Sequence, residues 1–180
     1  MCSSSRIDRH HVVAILVAVF FVSGRSDRTA LEENRAWYYF NGKTQPIMIV
    51  VRNTIIPFPG FIAITLWPFV FVRRQAWARF TNNVMRHERI HGRQQVELLL
   101  VGAVLAVLMA LGGCGWWSLL ALPLFLWLYG LEWLLGLACF GDSSAAYRNI
   151  SFEREAYDNE HDADYLNERR PFAWLRYISS

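Results

Sequence analysis

The sequence predicts a mainly α-helical membrane protein with a short β element ahead of its helices. Three observations carry that prediction. Hydrophobic residues make up 54% of the 180-residue chain, with 12 Phe and 8 Trp, a composition that membrane proteins show and soluble domains rarely do. Residues 98–111 and 116–140 are two apolar stretches joined by Gly112-Gly113-Cys114-Gly115, the pattern of a helical hairpin in a bilayer. Between a strand-like region and that hairpin lies a polar helical stretch, so one helix is expected to begin in water and continue into lipid.

The elements divide into three parts. Residues 1–30 hold an unbroken apolar run at 12–22, preceded by Arg6 and Arg9 and followed by Ser23-Gly24. That is the grammar of a signal peptide or an N-terminal anchor. Residues 31–80 read as strand-rich. Ile47-Met48-Ile49-Val50-Val51 predicts a short strand. Residues 54–72 carry no charge and would pass as a span, but Pro57, Pro59, Gly60 and Pro68 punctuate them and Ile, Val, Phe and Thr dominate, so strands are favoured. Residues 81–177 hold the helices. Thr81-Asn82-Asn83 caps the first, which continues through Gln94, Gln95 and Leu98 into the first apolar arm. That arm has fourteen residues, about 21 Å at helical rise, against a hydrocarbon core of about 30 Å. It spans only by borrowing the turn; otherwise the hairpin is re-entrant. Pro123 predicts a kink in the second arm. Residues 161–177 read as an amphipathic helix on the membrane surface, with Trp174 and Tyr177 at headgroup level.

The chemistry begins at His87-Glu88-Arg89-Ile90-His91, an H-E-x-x-H run in a chain with only five histidines. Residues four apart share a helix face, so His87 and His91 can present two imidazoles to one metal ion. Glu88 then lies where a general base for a metal-bound water is needed. A third protein ligand is required. His161 is a weak candidate. Glu132, an ionisable residue within the second apolar arm, is another. It lies eighteen residues after Cys114, as Val96 lies eighteen before, so a straight antiparallel hairpin sets it level with Gln94, Gln95 and Glu97. There it would support a histidine, with direct ligation the lesser alternative.

Downstream stands Ser151-Phe152-Glu153-Arg154-Glu155-Ala156-Tyr157-Asp158-Asn159-Glu160. The two signatures across a hydrophobic hairpin resemble those of gluzincin-type membrane metallopeptidases. They are also similar to a group of uncharacterised bacterial membrane proteins carrying H-E-x-I-H-x-x-Q-Q and then F-E-R-E-A-Y. The resemblance covers roughly residues 60–177. It implies Zn2+ as cofactor, His87 and His91 as ligands, and a third ligand from a C-terminal helix, either Glu153 or Glu155. Two residues apart, these face different sides of a helix, so only one can serve; Glu153 is favoured by the small Ala156 three residues on. The resemblance further implies peptide hydrolysis with Glu88 as base. Gln95, Glu132 and Tyr157 are auxiliary candidates, and Tyr147, Arg148 or Tyr157 could supply a donor to the oxyanion.

Net charge is +3 and Lys43 is the only lysine. No nucleic-acid module is recognisable; the expected partners are the lipid bilayer and a peptide or protein substrate. Cys2, Cys114 and Cys139 form no C-x-x-C pair and imply no disulfide framework. Arginines flank the hairpin on both sides and are missing from its turn. The positive-inside rule therefore puts the metal site on the cytoplasmic side of a bacterial inner membrane, although the signal-like residues 12–22 argue the other way. The alternative function is a zinc-binding membrane sensor or scaffold without turnover, which the charged Arg86 and Arg89 favour.

Overall fold

A computed structural model describes residues 48–57 and 60–178. The expectations for residues 1–30 and for residues 31–47 lie outside the described residues. Three strands come first: β1 (Ile49–Asn53), β2 (Ala63–Leu66) and β3 (Phe69–Arg73). β3 is central, parallel to β1 and antiparallel to β2. Its Val70 and Val72 are fully buried and pack with Met48, Val50, Ala63 and Met85 into one core. Among the described residues of the uncharged stretch 54–72, 63–66 and 69–72 are strands, as the prolines and β-branched residues predict, and the rest are bends, turns and irregular loop. The first strand lies two residues later than the sequence run.

Helix α1 (Asn82–Leu111) follows a 3-10 turn at Arg74–Arg79. The Thr81 side chain accepts from Val84 N and closes its first turn. The helix runs unbroken for 30 residues from the polar motif into the apolar arm. It is long and apolar enough to cross a membrane. The second arm is not one helix. A 3-10 segment (Gly115–Ala121) meets α2 (Leu124–Phe140) at a 60° bend around Pro123, and only together do they reach spanning length. The arms touch closely where Gly102 of α1 faces the Ala121 carbonyl. A Cβ there would lie 2.2 Å from that oxygen, so the contact requires glycine.

Gly141, at φ 67°, ends α2 in the left-handed conformation. Asp142 then caps the short α3 (Ser143–Arg148), accepting from Ala145 N at 2.6 Å. Helix α4 (Ser151–Asn159) packs across α1. Phe152, Ile150, Leu98, Phe125 and Trp174 form a second core beneath it. The tail corrects one expectation. Residues 161–177 are not a continuous surface helix but α5 (Tyr165–Glu168) and a 3-10 turn (Ala173–Tyr177), separated around Pro171. Trp174 is buried against Phe152, with ring centroids 4.5 Å apart, and Arg169 is buried as well. Ala173 and Trp174 of this segment are used inside the fold, while Leu175 and Ile178 remain exposed.

Candidate metal centre

Helical spacing places His87 and His91 one turn apart on the buried face of α1, ring centroids 4.7 Å apart. Helix α4 crosses that face and delivers Glu153. His87 Nε2 and His91 Nε2 are 3.1 Å apart; Glu153 Oε2 lies 3.3 Å from the first and Glu153 Oε1 lies 3.2 Å from the second. A tetrahedral ion with bonds of about 2.0–2.1 Å holds neighbouring donors about 3.3–3.4 Å apart, so these three residues stand at ligand spacing. All three are buried and could hold a metal ion.

Hydrogen bonding around the cluster sets which atoms face inward. His91 Nδ1 lies 2.8 Å from Gln94 Oε1, an acceptor, and His87 Nδ1 lies 2.9 Å from Glu160 Oε2. Each Nδ1 therefore donates its proton outward, and a ring that carries no second proton turns its Nε2 lone pair into the cluster. Glu153 Oε2 adds further lone pairs and is a buried oxygen with no hydrogen-bond partner among the described residues. Converging acceptors in a buried space are satisfied by a cation between them, either a metal ion or a proton. The outward bonds follow the carboxylate–histidine pattern that fixes ring orientation at metal sites.

Burial alone would raise the pKa of Glu153. Positive charge on the His91 and His87 imidazoles, when they are protonated, outweighs burial and holds the carboxyl well below its usual range. It stays ionised at neutral pH, as a ligand must. Tyr129 OH donates to its other oxygen at 2.7 Å, steadying the carboxylate from α2.

Glu88 projects into the same space from α1. Thr65 of β2 donates its hydroxyl to Glu88 Oε2 at 2.7 Å, so the sheet aims this carboxylate. Gln95 ties the sheet to the helix: its Nε2 donates to Thr65 O and its Oε1 accepts from Trp67 N, both at 2.8 Å. In effect the Gln95 amide pairs with the outer edge of β2. Further along that edge Ile62 O accepts from Arg73 N of β3, so the alternating Ala63 directs its backbone groups away from β3. A cleft of ≈ 690 Å³ opens there, bounded by Phe61 to Ala63, His87, Glu88, Trp133, Tyr147 and Tyr157. Tyr157 is half-exposed and its ring meets His87 edge-on at 4.7 Å. Burial and the charge of Glu153 raise its pKa, so the phenol keeps its proton and can donate.

Two predicted site residues stand elsewhere. Glu155 lies outside the group of His87, His91 and Glu153. It lies two residues beyond Glu153, on the opposite side of α4, and accepts from Arg169 Nε at 2.5 Å, Tyr165 OH at 2.8 Å and Gln94 Nε2 at 3.0 Å. Glu132 does not reach the histidines. Its carboxylate accepts from Ser151 N at 2.6 Å and Ser151 Oγ at 2.8 Å, capping the helix that carries Glu153. A count of residues from a straight hairpin fails because the second arm bends at Pro123. Glu132 is auxiliary to the site, through α4 instead of through a histidine.

Glu160, Thr65 and Tyr129 were not foreseen. Glu160 had a signal: it stands seven residues after Glu153 and three after Tyr157, on one helical face. Thr65 and Tyr129 had none, since their roles depend on long-range packing. The charged Arg86 has a structural role, donating from Nε to Glu160 O at 2.6 Å and from its guanidinium to Asn83 Oδ1. It closes the C-terminus of α4 against α1.

No protein-family model matches this chain, and no curated protein or solved structure matches it either.

Proposed function

We propose that this chain is a membrane-bound zinc metallopeptidase of the gluzincin type. One observation carries the reading: two Nε2 lone pairs and a carboxylate converge at 3.1–3.3 Å, with both Nδ1 atoms tied outward and Glu88 beside them. Two nitrogens and one oxygen on a site that opens to a cleft are the donor set of a catalytic zinc, whereas structural sites are closed by four protein ligands. Zinc held by His87, His91 and Glu153 would supply Lewis acidity, bringing the pKa of a water to about 7 and polarising a scissile carbonyl.

The remaining work falls to the chain. Glu88, aimed by Thr65, takes the proton from the attacking water and passes it to the leaving amine. The Tyr157 phenol donates to the developing oxyanion from the cleft wall. The edge of β2 at Ala63 accepts an extended peptide as an added strand, which favours a peptide or protein substrate. Arg86 has its place in closing α4, so its charge does not count against turnover.

The bilayer reading is supported by the apolar surface of α1 and α2. Leu100, Val104 and Leu108 on α1, with Leu126, Leu131 and Leu135 on α2, are all more than half exposed. A contiguous surface of that kind is not left to water. With arginines on both flanks of the hairpin, the positive-inside rule puts the metal site on the cytoplasmic face of a bacterial inner membrane.

The test uses detergent-purified, zinc-loaded protein and a generic unfolded protein substrate, with and without chelator. Cleavage is expected from the wild type and is lost on chelation. Glu88→Gln is expected to keep zinc and lose about 10²–10⁴-fold in turnover. Cleavage undiminished in Glu88→Gln would reject the base assignment; none from zinc-loaded wild type would favour the non-catalytic sensor.

A further inference from the structure

Gln94 is the most enclosed polar residue of α1, with no exposed surface. Its amide has two ends, an acceptor oxygen and a donor nitrogen, and either could face His91. Its surroundings do. Gln94 Nε2 lies 3.1 Å from Phe152 O and 3.0 Å from Glu155 Oε2, both acceptors. The opposite end, Oε1, therefore faces His91 Nδ1 at 2.8 Å. An acceptor there obliges His91 to carry a proton on Nδ1, so that when the ring holds only one proton its lone pair is at Nε2. Were the amide turned round, it would offer N–H to Nδ1, and His91 would protonate Nε2 and donate it to Glu153. That tautomer has no lone pair for a metal.

Glu155 acts with the Phe152 carbonyl to prevent the turn, and the tail is what holds Glu155. Arg169 grips it through Nε at 2.5 Å and Nη2 at 3.2 Å, and Tyr165 donates to it at 2.8 Å. Facing these donors, Glu155 accepts and does not donate. Arg169 also pairs with Glu97 of α1, at 2.5 Å from Nη1 and 3.2 Å from Nη2, so its charge is anchored from two sides. We propose that Glu155, locked by Arg169 and Tyr165, is a positioning residue that acts through Gln94 to hold His91 in the Nδ1–H tautomer a metal requires. The C-terminal segment thereby becomes part of the site, three hydrogen bonds from the ion.

Two isosteric changes separate this role from general support. Glu155→Gln and Glu97→Gln each remove one buried carboxylate from Arg169, but only Glu155 touches Gln94. The full-length chain is read in detergent by two measurements. Zinc affinity is measured by competition with a chelator. The His91 tautomer is measured from ring 15N shifts of chelator-treated protein at a pH where the ring is neutral. Glu155→Gln is expected to populate the Nε2–H tautomer and to weaken zinc about 10–100-fold. Glu97→Gln is expected to keep the wild-type tautomer and hold zinc within a few-fold. Gln94→Leu removes the acceptor while leaving Glu155 its Arg169 and Tyr165 partners, and should release the same tautomer if Glu155→Gln cannot be purified folded. Because this role presupposes a metal centre, the two readings part cleanly. Wild type that takes up no zinc but shows the Nδ1–H tautomer, lost in Glu155→Gln, would overturn the metal reading and leave the relay standing. An unchanged tautomer in both Glu155→Gln and Gln94→Leu, or equal zinc losses in Glu155→Gln and Glu97→Gln, would overturn the relay.

Discussion

In the polar part of α1, up to Glu97, His87, Glu88, His91, Gln94 and Glu97 are buried; in the apolar part that follows, Leu100, Val104 and Leu111 are 64%, 60% and 81% exposed. One continuous helix thus hides its polar residues and shows its apolar ones. Each part is costly by itself in water. Buried polar groups need partners, and exposed leucines need cover. The polar part finds its partners: β2 supplies Thr65, α4 supplies Glu153 and Glu160, and the tail supplies Arg169. The apolar part finds little cover in the fold, apart from the close approach at Gly102. The difference teaches that the two halves answer to different surroundings. The polar half is organised around a site inside the protein, and the apolar half faces an environment that on our proposal is lipid.

That contrast can be broken most strongly on the exposed side. Val104→Arg replaces a 60% exposed residue near the middle of the apolar half. In water the change is close to neutral, within about 0.5 kcal/mol, and helix propensity even favours it. At the centre of a bilayer it costs about 2.5–3.5 kcal/mol. The membrane-inserted fraction in vesicles should therefore fall steeply, and an unchanged fraction would mean that the apolar half is not in lipid.

Gly102→Ala sharpens the boundary between the halves. Its new Cβ would meet the Ala121 carbonyl oxygen at 2.2 Å, a backbone contact that cannot rotate away. The expected loss is about 1–3 kcal/mol in thermal or denaturant unfolding in detergent. By comparison, Gly136→Ala meets Ala146 at 3.2 Å and should cost less. Equal effects would show that the arms do not pack at Gly102 as described.

A smaller effect is expected on the polar side. Thr65→Val keeps the shape of the residue but removes the hydroxyl that donates to Glu88. A lost hydrogen bond to a charged group is worth about 1.5–3 kcal/mol at most, and less where water can replace it. Turnover should fall about ten-fold with zinc content unchanged. Loss of zinc in this variant would show that Thr65 supports the ligands instead of the base.

Local patterns in the chain carried more of this structure than its long-range contacts did. The i, i+4 spacing of His87 and His91, the Thr81 cap, the glycine turn and the proline-marked strands are all decided within a few residues, and each reads directly. Glu153 over Glu155 was half legible: helical geometry says that only one can face the histidines, but which one depends on how α4 crosses α1. Glu132 was misplaced because the bend at Pro123 breaks the register of the hairpin. Trp174 looks like a membrane-surface residue in sequence, yet the fold buries it and Arg169 of the same segment, since Phe152 takes a ring against it and Glu97 and Glu155 take a cation. Such pairings join residues tens of positions apart, and no local period announces them.

The most direct test of the account is the metal content of the full-length protein purified in detergent without added chelator. The account predicts one zinc per chain, abolished in His91→Ala and in Glu153→Ala and retained in Glu155→Ala variants that stay folded, though more weakly held. Wild-type protein without stoichiometric metal, even after incubation with zinc, would contradict it.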